Sequence, residues 1–188
     1  MNIRFEPLSN RHDRSSFECG ATALDTWFRT RASQDQRRNV ARVFVAQDGE
    51  GIVGFYSLSL FALAFDDLPP EVARKLPKYK ALPVALIGRL ARHLRACGQG
   101  VGELLVADAI TRVLGAAETV AAFAIVVDAK DDAAIAFYRT FGLCSSRPRP
   151  TGSFSWRRLP QPGCARLRAA GELFTGSPTR RPGPTSAS

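Results

Sequence analysis

Apolar and polar positions recur with two periods along the first three quarters of the chain, and the switches between them mark its elements. Residues 3–8 read as a short strand. Over 21–37, Leu24, Trp27, Phe28 and Arg31 recur at helical spacing, with Arg29, Gln34 and Arg38 on the polar side, which predicts a helix. Residues 42–47 and 52–61 are β-rich runs divided by Asp48-Gly49-Glu50-Gly51, a hairpin signal. The polar segment 66–80 predicts a connection with a helical turn or two after Pro69-Pro70. Strand character returns over 81–93, and the glycines of 98–102 break it. Residues 103–114 carry Leu104, Leu105, Ala109 and Val113 as one helical stripe. The apolar run 119–127 predicts a strand covered on both faces. A last helix is expected over 131–140, with Asp131 or Asp132 as its cap and Phe141-Gly142 as its stop. Strands followed by helices in this order predict an α/β fold with a mixed sheet flanked by helices.

Composition adds a boundary. The chain has 188 residues, 45% hydrophobic and 23% charged, enough apolar surface for one buried core. Net charge is +9, yet eight arginines and a single acid lie from Ser145 onward, leaving 18 basic and 16 acidic groups before it. The basic excess therefore belongs mostly to the tail and says little about nucleic-acid binding by the body. Seven of the twelve prolines also follow residue 144, among Gly, Ser, Thr and Arg. The expected organisation is a domain over 1–144 and a tail over 145–188 too polar to hold a packed structure.

The nearly uncharged stretches 54–65 and 120–127 are too short to span a bilayer, and Met1-Asn2-Ile3-Arg4-Phe5-Glu6 has no apolar core of a signal peptide. Cys19, Cys97, Cys144 and Cys164 stand far apart, with two histidines in the whole chain. Neither a disulfide framework nor a metal site is expected, and a reducing cytoplasmic setting is.

The segment richest in chemistry runs from Arg89 to Gly102, where a strand enters a glycine-dense turn that opens an amphipathic helix. Backbone N–H groups of such a turn, with the helix amino terminus, form an anion site suited to phosphate. Gly98-x-Gly100 is followed by Glu103 where a dinucleotide fingerprint needs a third glycine, and no Gly-Lys-Ser/Thr is present. Taken alone, the segment is equally readable as a structural turn.

Cys97-Gly98-Gln99-Gly100-Val101-Gly102 resembles the acyl-CoA-binding motif of the Gcn5-related N-acetyltransferases (GNAT), Gln/Arg-x-x-Gly-x-Gly/Ala. Both glycines match, Cys97 takes the Gln/Arg place, and Arg95 is a candidate substitute for the lost polar contact. Ala134-Ile135-Ala136-Phe137-Tyr138, closing at Gly142, resembles the family's Ala-x-x-Phe-Tyr-x-x-x-Gly-Phe segment, with Leu143 where the aromatic often stands. Phe17-Glu18-Cys19-Gly20, Leu24-Asp25-x-Trp27, Gly54-Phe55-Tyr56-Ser57-Leu58-Ser59 and the stretch from Pro83 to Ala91 are similar to GNAT toxins of toxin–antitoxin pairs. Together these cover about residues 3–143. The resemblance implies a GNAT acyl-CoA N-acyltransferase fold with acetyl-CoA held where the fourth and fifth strands diverge. Leu90, Ala91, Arg92, Arg95, Cys97, Gly98, Gln99, Gly100, Val101 and Gly102 become the implied cofactor-binding residues. It also implies acetylation of the α-amino group of aminoacyl-tRNA, a block on translation, a ribbon–helix–helix antitoxin and a homodimer. The alternatives are a GNAT acting on a protein or small-molecule amine, and an inactive GNAT-like remnant.

The residues carry a compatible chemistry. Tyr138 is the candidate general acid, since a phenol near pKa 10 can protonate or hydrogen-bond a thiolate whose conjugate acid lies near 8.5, about. His12 and His93 read as surface histidines rather than bases. An α-amino group titrates at about 7.7–8.0 and needs less help to become neutral than a lysine near 10.4, which favours an α-amine acceptor. Candidate RNA contacts are Arg29, Arg31, Arg37, Arg38 and Arg42 around the first helix, with Lys75, Lys78 and Lys80 (beside Arg74) in the connection. Cys19, Cys97 and Cys144 are expected to be buried small residues.

The family resemblance stops near Cys144. Read one base out of frame, the codons of Thr151–Arg158 permit Arg-Leu-Phe-Leu-Leu-Ala-Thr, similar to the end of GNAT toxins. The expectation is a frameshifted tail that leaves the edge of the fifth strand uncovered.

Overall fold

The computed structural model describes residues 2–68, 70–129, 131–145 and 153–158. The β-rich runs pair into one sheet whose strands are β1 (Arg4–Pro7), β2 (Arg42–Asp48), β3 (Gly51–Ala64), β4 (Ala81–Arg92), β5 (Ala124–Ala129), β6 (Cys144–Ser145) and β7 (Ser153–Arg158). Their order is β1-β2-β3-β4-β5-β7-β6, antiparallel except where β4 and β5 run parallel. The helices are α1 (Thr22–Thr30), α2 (Ala32–Arg37), α3 (Pro70–Ala73), α4 (Val101–Ala116) and α5 (Asp132–Arg139).

Strand alternation sorts the core into two layers. Val43 and Val45 of β2 and Phe55 of β3 pack with Phe17, Trp27, Phe28 and Ala32 beneath α1 and α2. Ala46, Tyr56, Ala85, Ile87, Ile125 and Val127 point the other way and pack with Val101, Leu105, Ala109 and Val113 of α4 and Tyr138 of α5. At the far end of the first face, Leu63, Leu82, Val84, Ala124 and Val126 lie under Leu68, Val72 and Leu76, so the connection before β4 is a lid on the core. All four residues Ala124–Val127 are buried, as their uninterrupted apolar character requires.

α4 can cross the sheet closely because β3 offers Gly54. A Cβ there would stand 2.7 Å from Leu105 Cδ1 and 3.1 Å from the Ala91 carbonyl oxygen. Gly54→Ala is therefore expected to overpack this crossing and cost about 1–3 kcal/mol, measurable as a lower urea midpoint at unchanged slope.

The sheet opens between β4 and β5. The two strands pair only over Val84–Ile87 against Ala124–Val127, yet β4 continues on β3 to Arg92 and β5 continues on β7 to Ala129. Gly88 causes the departure. Leu58 pairs with Ile87 and Ser57 with Arg89, so Gly88 is an extra residue that bends β4 where it leaves β5.

Several expectations need correction. The helix expected over 21–37 divides at Arg31 (φ −115°, ψ −25°), whose N–H still bonds the Trp27 carbonyl at 2.8 Å. Residues 119–123 precede β5 rather than belong to it, with Phe123 N–H bonded to the Pro83 carbonyl at 2.7 Å. The edge of β5 is not uncovered. Ser153–Arg158 pairs antiparallel along the whole of Ala124–Ala129, and Cys144–Ser145 pairs with β7 in turn. The unpaired N–H and C=O groups of a buried strand's edge favour any available partner, and the Phe154 and Trp156 alternation within an Arg- and Pro-rich context supplies one. The remaining tail, residues 146–152 and 159–188, lies outside the described residues.

Candidate active site

The glycine turn is built by backbone geometry. A 3-10 turn over Leu94–Ala96 is capped by His93, whose Nδ1 accepts from the Arg95 N–H at 3.1 Å. Gly98 and Gly100 then take φ of +72° and +73°, and Gly100 is the N-cap of α4 with no side-chain cap. These left-handed angles suit glycine. A Cβ on either residue would enter open space rather than protein. Among the described residues, no acceptor meets the N–H groups of Gly98, Gly100, Val101, Gly102 or Glu103. Unaccepted donors at the start of a 16-residue helix make an anion cradle.

The cradle is one wall of an open cleft of about 380 Å³, lined also by Leu90, Ala91 and Arg92 of β4 and by Phe137 of α5. Phe137 reaches the turn through Gly102, whose Cβ would lie 3.4 Å from the Phe137 ring. It also packs edge-on against Tyr138 and Phe141, at 5.3 and 5.4 Å between centroids. The Phe-Tyr pair thus divides its work, one ring closing the cleft and the other entering the core. Tyr138 is 8% exposed. Burial, and secondarily the charge of Asp128, push its phenol up to about 12, so the hydroxyl stays protonated through the physiological range. No hydrogen-bond partner engages that hydroxyl among the described residues.

Of the ten cofactor-site residues expected from sequence, the structure brings seven into the cleft: Leu90, Ala91, Arg92, Gly98, Gly100, Val101 and Gly102. Three stand elsewhere. Arg95 turns to the β2–β3 hairpin, with 2.8 Å bonds to both Asp48 carboxylate oxygens and a 3.2 Å contact to Glu50, because an acidic tight turn lies within its reach. It holds Asp48 down to about 2. Gln99 bonds the Arg95 carbonyl at 2.9 Å, and Cys97 is exposed instead of buried. Cys19 is half-buried, with its thiol pushed up to about 11 by desolvation first and Asp25 next. The Cys144 side chain lies outside the described ones. His12 is 7% exposed and not a surface residue, because its Nδ1 accepts from the Ser9 N–H at 2.8 Å while Nε2 lies 3.2 Å from Glu6.

The Arg95–Asp48 contact ties the hairpin to the base of the glycine turn and gives a pH signature. A carboxyl held below its ordinary 3.8 contributes stability present above pH 4 and lost as pH falls through about 2. Acid denaturation of Asp48→Asn should lose that step between pH 4 and 2, read by circular dichroism.

The basic candidates are all exposed. Arg29, Arg31, Arg37 and Arg38 lie on the α1–α2 layer, and Lys75, Lys78 and Lys80 lie in the connection before β4 whose Leu68, Val72 and Leu76 cover the core. Arg29 stands 4.0 Å from Asp25. Arg42 pairs with Leu58 and shares its α4 side, apart from the others. Sequence reading missed Glu103 and Phe137 as cleft residues; the Phe-Tyr pair was seen, but its partition between cleft and core depends on Gly102.

Comparison with known proteins agrees with this geometry. A 37% identical protein from Mycobacterium tuberculosis, a tRNA-acetylating toxin, aligns over 71% of this chain and 80% of its own. A probable toxin TacT from Sinorhizobium fredii is 31% identical over 73% of this chain and 82% of its own. The solved structure of AtaT complexed with acetyl-methionyl-tRNAfMet superposes with a TM-score of 0.75 at 26% identity, covering 84% of this chain and 95% of that one. A family model for the Acetyltransferase (GNAT) family spans residues 6–143, and the chain accordingly belongs to that family, with acetyl-CoA as its acyl donor.

Proposed function

We propose that this acetyltransferase is the toxin of a toxin–antitoxin pair, transferring acetyl to the α-amino group of aminoacyl-tRNA and so blocking translation in the cytoplasm. The observation that carries the reading is the arrangement about the β4–β5 opening. An anion cradle and cleft lie on the α4 side, and the exposed Arg29, Arg31, Arg37 and Arg38 belong to the α1–α2 layer on the opposite face. The similar proteins named for tRNA acetylation support the same substrate class.

Bound acetyl-CoA would supply an acyl carbon activated as a thioester. The N–H groups of Gly98, Gly100, Val101 and Gly102, with Arg92, would hold its phosphates, and Leu90 and Ala91 would flank its chain. Tyr138, next to the cleft residue Phe137, keeps a proton on its phenolic oxygen and would give it to the departing thiolate, the phenolate then taking up the proton that the acylated nitrogen releases. The amine nitrogen must arrive neutral, and an α-amine reaches that state unaided as pH passes about 8. With Tyr138 protonated up to about 12, kcat/KM should rise through pH 8 and stay level to pH 10. A downward limb centred below pH 10 would remove Tyr138 as the acid.

The partners proposed with this reading are a ribbon–helix–helix antitoxin and a second copy of the chain. The test of substrate class is competitive. Labelled acetyl-CoA is offered to the protein with total charged tRNA and a lysine-rich protein together. Label should enter charged tRNA and not deacylated tRNA, and label confined to protein would assign the enzyme to protein amines. Neutralising Arg29, Arg31, Arg37 and Arg38, or Lys75, Lys78 and Lys80, should weaken tRNA binding and flatten its salt dependence.

A further inference from the structure

Strand β4 carries a second arginine at the opening, on the face away from the cleft. Arg89 directly follows the bulged Gly88 and is the first paired residue beyond the last β4–β5 partners. Its N–H is fixed by Ser57 Oγ at 3.0 Å. Its guanidinium lies 4.3 Å over the Trp27 ring, which is 6% exposed and pinned by an indole N–H bond to Asp35 at 2.8 Å.

The arginines around it are differently placed. Arg95 is held by Asp48 and Arg112 by Asp108, whereas Arg89 is exposed and makes no ion pair among the described residues, Asp128 across the opening included. A guanidinium stacked on an indole face keeps its planar fork of donors free at the edge, a geometry that matches phosphate. Alternation puts Arg92 on the cleft side and Arg89 on the α1 side, so β4 presents an arginine on each face of the opening.

We propose that Arg89 is a positioning residue that grips the phosphate linking the last nucleotides of the charged tRNA, aiming the aminoacyl end at the opening. This rests on the aminoacyl-tRNA reading above. The probes are aminoacyl-adenosine with and without a 5′-phosphate, compared with charged tRNA. The wild-type protein should prefer the phosphorylated acceptor by about tenfold or more in kcat/KM, carried by KM. Arg89→Gln should erase that preference, leave kcat on the unphosphorylated acceptor and the melting temperature unchanged, and Arg89→Lys should restore part of it. A preference that survives in Arg89→Gln overturns the assignment. So does an equal loss on both acceptors with a lowered melting temperature, which would make Arg89 a cover for Trp27. Wild-type failure on both acceptors and on charged tRNA would overturn the aminoacyl-tRNA reading itself.

Discussion

Tyr138→Phe is expected to lower turnover by about 10²–10⁴-fold with acetyl-CoA affinity unchanged. The substitution keeps the ring that α5 lends to the core and deletes only the hydroxyl. Phe137, not Tyr138, lines the cleft, so the binding wall is untouched. On the proposed mechanism the departing thiolate then has no protein proton. Stopped-flow turnover and calorimetric titration on the same preparation separate the two effects, and wild-type turnover would return Tyr138 to a core role. The variant has a second signature. A phenol raised from 10 to about 12 contributes stability that is complete below pH 10 and lost as pH rises through 12. Tyr138→Phe should flatten that alkaline decline.

The second large effect is expected at Gly100. Gly100→Val should reduce acetyl-CoA affinity by about 100-fold, the loss expected when one or two charge-assisted bonds from a helix start are prevented. Any side chain on Gly100 projects into open space at the glycine turn, away from the protein. Valine also strains a backbone held at φ +73°, at a cost of about 1–2 kcal/mol or more. Gly100→Asn separates the causes, because asparagine tolerates left-handed angles. If the cradle binds phosphate, both variants lose affinity while Asn retains the wild-type melting temperature. Unchanged calorimetric affinity in a folded Gly100→Asn protein would remove the turn from the binding site.

How much of this was legible in the sequence depended on the range of the interactions involved. Periodicity located the helices and the strands up to β5 because each buries one side chain set against a neighbour, and Asp131 capped α5 as read, accepting from the Ala134 N–H at 2.7 Å. The glycine turn was legible because left-handed backbone leaves a residue-type mark. Arg95 was misplaced because its partner Asp48 is 47 positions away, and no local pattern records that. Arg89 opens the segment singled out in the sequence, but its place over Trp27 and beside a bulge is visible only in the fold and the pairing register. The strand β7 was concealed by the prolines around a six-residue run that itself ends in Arg157 and Arg158, so that the short Phe154 and Trp156 alternation gains meaning only beside the edge of β5.

The destination of the acetyl group decides between aminoacyl-tRNA and protein amines as acceptors. Total aminoacyl-tRNA is incubated with the protein and labelled acetyl-CoA, the tRNA is purified, and its ester bonds are cleaved by mild base. Chromatography of the released small molecules should show the label as N-acetyl amino acids, present with the wild-type protein and reduced with Tyr138→Phe. Label that remains on the polynucleotide after ester cleavage, or appears only on protein amines, would contradict it.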